Sequence, residues 1–290
     1  MLIEWDKIID FEKAKFDKNG ILLTDSIYKN EILTSKLAWE EIYNYNVDDL
    51  KKDRNDFDEN KLEDHISYLD EAYNFNKNTI YLEIGCGPAH IGEYIMKMHD
   101  AIFIGVDFNY SMLITLKKYL DEKGYKKYLL IHGDINDMPI KDNLIDFVYG
   151  GGVIEHFSNT NNIIKESNRI LKKGGFLFNT VPALNLWWFL RLFNTIPSLP
   201  ILRKIFEFIH IKLFKSKILK KYAGYQLAFT KKELVTLYKN NNFQNICVGS
   251  FAFHPSRYKL KNRLLRELYF KLQKIDLITA IYYIRGYNYK

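Results

Sequence analysis

Cysteine is almost missing from this chain: 290 residues hold two, Cys86 and Cys247. Two thiols cannot build a disulfide framework, so a reducing compartment is expected. No uninterrupted apolar run approaches the ~20 residues of a membrane span. The opening residues, Met1-Leu2-Ile3-Glu4-Trp5-Asp6, lack the basic lead and apolar run of a secretory leader. A cytoplasmic chain is the expectation. No internal repeat is detectable. Acidic residues give out along the chain: residues 1–182 hold 22 Lys and Arg against 31 Asp and Glu, whereas residues 183–290 hold 20 against 4. The net charge of +7 therefore hides two parts of −9 and +16. Such a contrast predicts that the C-terminal part meets something anionic. A hydrophobic content of 47% allows a substantial core.

What is present is concentrated in one stretch, Glu83-Ile84-Gly85-Cys86-Gly87-Pro88-Ala89. It follows the apolar run Thr79-Ile80-Tyr81-Leu82 and precedes a helical pattern of Ile91, Tyr94, Ile95 and Met98. A strand, a glycine turn and a helix make a site for a nucleotide-like ligand, because glycines admit the ligand to the backbone and the helix start offers free N–H groups. A dinucleotide site of the Gly-x-Gly-x-x-Gly kind needs glycine at position 90, which is His90. A NAD-dependent oxidoreductase is disfavoured on that ground. Cys86 has no paired base or CxxC partner and reads as a small filler of the turn. A second strand, Ala101 to Asp107, ends in an acid 20 residues after Gly87. There a carboxylate can accept both hydroxyls of a ribose, or cap a helix from Asn109 to Lys123. A third strand runs from Tyr128 into Gly133-Asp134-Ile135, and a fourth, Leu144 to Tyr149, into Gly150-Gly151-Gly152-Val153-Ile154-Glu155-His156-Phe157.

These pieces resemble the class I S-adenosylmethionine-dependent methyltransferases. Glu83 to Ala89 is similar to their motif E-x-G-x-G-x-G, with Ala89 in place of the last glycine. Val153-Ile154-Glu155-His156-Phe157 and the segment from Glu166 through Arg169-Ile170-Leu171-Lys172-Lys173-Gly174-Gly175 to Leu177 resemble the small-molecule branch, of the kind called type 11 or 12. The resemblance covers residues 79 to about 181, with a weaker echo from Ala228 to Phe243. It implies an α/β fold, Rossmann-like and doubly wound, with a seven-stranded sheet whose last strand is antiparallel. S-adenosyl-L-methionine is then the cofactor. Glu83, Gly85, Cys86 and Gly87 shape the methionine pocket, Asp107 and Phe108 meet the ribose, and Asp134 and Ile135 receive the adenine, with Gly150 and Gly151 nearby. An Asn/Asp-Pro-Pro-Tyr tetrad does not follow strand four, which argues against amino-methylation by that route.

The methyl of this cofactor is already activated, so a catalytic triad is not required, and none is visible. An oxygen acceptor needs a base, and His156 is the candidate; bracing the local turn is its other reading. Glu155 and His156 are two ligands, which do not define a metal site, and no metal is expected. Four parts are expected: a helical cap at 1–75, the cofactor-binding core at 76–182, a basic aromatic helical insertion at 183–225, and the end of the core at 226–290. Trp39, Tyr28, Tyr43 and Tyr45 are candidate pocket aromatics. In the insertion, Leu202, Ile205, Phe206, Ile209 and Leu213 form an apolar stripe opposite Arg203, Glu207, His210, Lys217 and Lys221. With Trp187 and Trp188, residues 185–221 suit a peripheral contact with an anionic membrane, or else pack on the protein. A further basic helix, Tyr258 to Ile275, is expected to turn Leu260, Leu264, Leu265, Leu268 and Leu272 inward. The acceptor expected is a small molecule, sugar or lipid-linked hydroxyl. A nucleic-acid methyltransferase and a non-catalytic cofactor-binding protein are the alternatives.

Overall fold

The computed structural model describes residues 3–24, 36–56, 59–191, 195–209, 226–252 and 263–289. Tyr28, His210, Leu213, Lys217, Lys221, Tyr258 and Leu260 lie outside them. Eleven strands are described: β1 (Ala14–Phe16), β2 (Leu22–Thr24), β3 (Ile80–Ile84), β4 (Ile102–Asp107), β5 (Tyr128–His132), β6 (Ile145–Gly151), β7 (Leu171–Pro182), β8 (Thr195–Pro197), β9 (Gln226–Ala228), β10 (Phe243–Ser250) and β11 (Ile281–Asn288). Nine of them form one sheet in the order β1-β2-β5-β4-β3-β6-β7-β11-β10. Strands β2 to β7 pair in parallel, and β11 runs antiparallel between β7 and β10. Successive strands run outward from β3 to β5, and the chain then returns to place β6 on the other side of β3. That reversal opens a crevice at the carboxyl ends of β3, β4 and β6.

The helices are α1 (Lys36–Ile42), α2 (Val47–Asp56), α3 (Glu59–Ala72), α4 (His90–His99), α5 (Tyr110–Glu122), α6 (Thr160–Ile170), α7 (Pro200–Phe208), α8 (Lys231–Asn240) and α9 (Arg263–Gln273). Neighbouring strand residues alternate between two cores. Leu82, Ile84, Ile104, Val106 and Val148 face one; Tyr81, Phe103, Phe147 and Tyr149 face the other. The first core is closed by Ile163 and Ile164 of α6 and Leu234 of α8, the second by Leu50 of α2, Leu69 of α3, Ile95 of α4 and Leu116 of α5. Covering both faces is what a mostly parallel sheet requires, and each fully buried aliphatic side chain contributes about 1.5–3 kcal/mol.

The sheet has nine strands, not the seven expected. The extra pair is a hairpin, β1 and β2, laid on the β5 edge. Its turn is held by Asp17, whose Oδ1 accepts the N–H groups of Asn19 and Ile21 at 2.9 and 2.8 Å. Three-residue strands are too short to show a period of two, which is why they read as part of a helical cap. The segment 183–225 is likewise not purely helical: β8 and β9 pair in a small sheet of their own. Gly174 and Gly175 do not cap α6. They lie within β7, where Gly174 takes φ +76° and the register against β6 slips between Ile145 and Phe147. The largest departure is α9. Its leucines 264, 265, 268 and 272 are all exposed rather than inward.

Candidate functional site

The glycine turn leaves β3 in a left-handed conformation: φ is +60° at Gly85 and +45° at Gly87. At Gly85 the need is also steric, since a Cβ there would lie 2.8 Å from Val153 Cγ2. Gly85→Ala combines a left-handed alanine with that clash. It is expected to destabilise the protein by about 2 kcal/mol or more, read as a lower midpoint in urea. Ala89, where the family pattern has glycine, is itself left-handed at φ 52° and sits before the first turn of α4. Glu83 reaches the same turn from below. Its Oε2 accepts the Gly92 N–H at 3.0 Å, and burial pushes its carboxyl up to about 8.

Asp107 ends β4 beside this loop. Its Oδ2 accepts the Gly87 N–H and its Oδ1 the Asn109 N–H, both at 2.8 Å. Burial raises its carboxyl above the ordinary range, and those backbone donors hold it part of the way down. Asp107 is not the cap of α5: that is Asn109, whose side chain accepts the Met112 N–H at 3.1 Å. Asp134 follows β5, with Oδ1 accepting the Asn136 N–H at 2.9 Å and its side-chain amide at 2.7 Å. Asp134 thus caps a turn, and that turn sets its carboxylate and Ile135 in the wall of the crevice.

Trp39 and Tyr43 form the roof, stacked at 5.8 Å with planes 12° apart. The Trp39 ring also meets the His156 imidazole edge-on at 5.2 Å. His156 closes a short 3-10 turn, Ile154–His156, and is 6% exposed. Burial pushes its imidazole down to about 4, so it is neutral near pH 7. Its Nδ1 has no hydrogen-bond partner among the described residues, which is costly for a buried polar atom.

Of the residues singled out in the sequence, Gly85, Asp107, Phe108, Asp134, Ile135, Gly151 and His156 line one cleft. Glu83, Cys86, Gly87 and Gly150 do not. Glu83 and Gly87 act on the loop from behind, as described. Cys86 is buried, its Sγ 2.9 Å from where a Gly105 side chain would begin, and burial drives its thiol pKa far upward. Gly150 is enforced by Asn179 and Ile84, which leave no room for a Cβ. Asn109, Gly133, Gly152, Val153 and Phe157 join the lining without having been picked out. All five sit at or just beyond strand ends, the signal that could have found them. A further element is visible only in three dimensions. Arg54 of α2 donates to the Pro88 carbonyl and pairs with Glu93, while His90 Nε2 lies 2.9 Å from Asp53 Oδ2. Helix α2 thus latches the glycine turn and the start of α4.

Comparison with known proteins gives the following. A methyltransferase-domain family model matches residues 82–179. A demethylmenaquinone methyltransferase of Anoxybacillus flavithermus is 28% identical over 107 residues, 35% of this chain and 44% of that protein. A sterol 24-C-methyltransferase of Aspergillus fumigatus is 29% identical over 112 residues, 38% of this chain and 30% of that protein. The chain spans less than half the length of these curated relatives. Phosphoethanolamine N-methyltransferase 2 of Haemonchus contortus, solved with phosphomonomethylethanolamine and S-adenosylhomocysteine, shares the fold at a TM-score of 0.54. Its identity is 15%, with 78% of this chain and 52% of that one covered.

Proposed function

Because the chain belongs to the class I S-adenosylmethionine-dependent methyltransferase family, we propose that it moves a methyl group from S-adenosyl-L-methionine to a hydroxyl of a small-molecule, sugar or lipid-linked acceptor. The observation that carries the cofactor half is the 2.8 Å contact between Gly87 N–H and Asp107 Oδ2, which ties the glycine turn to the strand-end acid. The cleft fits this cofactor. Asp107 presents a carboxylate to a vicinal diol, and Asp134 with Ile135 presents an acceptor and an apolar face to an adenine. Gly85 leaves backbone where a side chain would block a close approach. Glu83 acts from behind by fixing the first turn of α4.

When bound, the cofactor supplies a methyl already activated on its sulfonium. The chain then has to align the acceptor and exclude water. Trp39 and Tyr43 close the cleft over both tasks. Neutral His156, whose ring lines the cleft, orients the acceptor hydroxyl and takes its proton as the new bond forms. No helix among the described residues is long and apolar enough to cross a membrane. A cytoplasmic enzyme working at a membrane surface completes the reading.

Calorimetry tests the cofactor half. S-adenosylhomocysteine is expected to bind and NAD not to. Tight NAD binding with no heat from S-adenosylhomocysteine would overturn it. Transfer of label from S-adenosylmethionine into lipid, sugar or RNA fractions then decides the acceptor class.

A further inference from the structure

The fold gathers exposed apolar side chains around one buried tryptophan. Trp188 is buried; its Nε1 donates to the Thr195 carbonyl at 3.2 Å, and its ring meets Phe206 of α7 at 5.1 Å. It is therefore a pivot and not itself available for insertion, contrary to the sequence reading. The residues around it do face outward. Phe189, beside it, is 61% exposed, and Ile201 on α7 is 77% exposed. Leu186 is bonded through its backbone N–H to the Leu277 carbonyl at 3.1 Å, and Asn185 Nδ2 donates to the carbonyls of Asp276 and Thr279 at 2.8 Å. This joins the 186–189 turn to residues 276–279, the segment that follows α9, and Leu277 there and Leu268 and Leu272 on α9 are exposed as well. Monomeric proteins rarely leave contiguous apolar surface of this kind uncovered.

The charge around it is mixed, with a positive excess. On α7, Arg203 is paired with Glu207. Asp276 is paired with Lys231. Lys204 on α7, Lys271 on α9 and Lys274 just past its end are exposed, against one exposed acid, Glu267, on α9. Position completes the picture. Strand β7 is parallel to β6, so the turn that follows it leaves the sheet at the edge that holds the cofactor cleft.

We infer that the apolar, basic face built from the 186–189 turn, the outer side of α7 and the Leu268–Leu272 line of α9 docks on an anionic phospholipid membrane. An amphipathic helix carrying lysines lies in such an interface with its apolar side chains among the acyl chains and its ammonium groups among the phosphates. Docking does not rest on methyl transfer, and cofactor affinity is measured apart from it. Joined to the proposed activity, it places a lipid-linked acceptor within the layer that the cleft's edge faces.

Flotation with vesicles of equal parts phosphatidylglycerol and phosphatidylcholine tests it. At low salt the protein is expected to float with these vesicles, to float poorly with phosphatidylcholine alone, and to be released as salt rises. The doubles Leu268→Ser/Leu272→Ser and Ile201→Ser/Ile205→Ser should each reduce partitioning, by roughly tenfold per residue replaced. Both should keep wild-type affinity for S-adenosylhomocysteine, which certifies the fold. Absence of flotation at low salt would overturn the proposal. So would flotation unaltered in both doubles, or equal flotation on neutral vesicles. A dimer in sedimentation equilibrium that the same doubles dissociate would assign the face to a second copy instead.

Discussion

Asp107→Ala is expected to weaken S-adenosylhomocysteine binding by about 1.5–3 kcal/mol, roughly 10–100-fold, as for loss of hydrogen bonds to a charged group. Two causes add. The ribose loses its acceptor, and the Gly87 and Asn109 N–H groups lose theirs. The second cause predicts a fall in stability in the absence of ligand, since buried donors left unmatched cost about 1–3 kcal/mol each. Isothermal titration reads the first effect and urea unfolding the second. An unchanged dissociation constant would remove Asp107 from the cofactor site, whatever the stability did.

His156→Ala is expected to lower kcat by roughly 10²–10⁴-fold on an oxygen acceptor while cofactor affinity stays level. If His156 only braces its turn, turnover per folded molecule stays near wild type. The same substitution has a signature that needs no acceptor. Burial lowers the folded imidazole to about 4 from an ordinary 6.5, so the unfolded chain takes up its proton first as pH falls. The stability that His156 contributes is complete above 6.5 and is lost on the way down to 4, up to roughly 3 kcal/mol. Glu83 acts in the other sense. Its folded carboxyl stands at about 8 against an ordinary 4.5, so its contribution is complete below 4.5 and is lost as pH rises through 8. Between 4.5 and 6.5 the two slopes oppose each other in the wild type. With His156 gone, one group that loses stability on acidification is removed, so stability at pH 4.5 relative to 6.5 should stand higher in the variant than in the wild type, while His90, also lowered by burial, acts in the same sense in both. Urea titrations at steps through the window decide the matter; an identical pH dependence in the two proteins would refute the burial of His156 as its source.

Where the chain alternates strand and helix over whole periods, the sequence was readable. Strands β3, β4, β5 and β6 lie where apolar runs and turn residues put them, and Asp107, Asp134 and His156 fall at or beyond their carboxyl ends. What escaped was set by partners distant in the chain. No local pattern says that Arg54 reaches Pro88, or that Asp53 meets His90; the sequence did name Trp39 and Tyr43 as pocket aromatics, and both line the cleft. Amphipathicity gave the apolar stripe of α9 correctly but not its direction. A helix with one apolar side is the same sequence whether that side meets a core or a solvent boundary.

The hairpin of β1 and β2 also bears on solubility. Without it, β5 would be the last strand of the sheet along its whole length, and Ile131 and His132, which pair with Leu22 and Leu23, would offer unpaired backbone next to the apolar Leu129-Leu130. Such edges recruit other chains into intermolecular sheets. The hairpin covers the carboxyl end of that edge and sets at the new boundary a three-residue strand carrying Lys15, too short and too charged to be readily extended by a neighbour. The hairpin thus shields the carboxyl end of that edge, where Thr24 packs against Gly133 of the cleft wall.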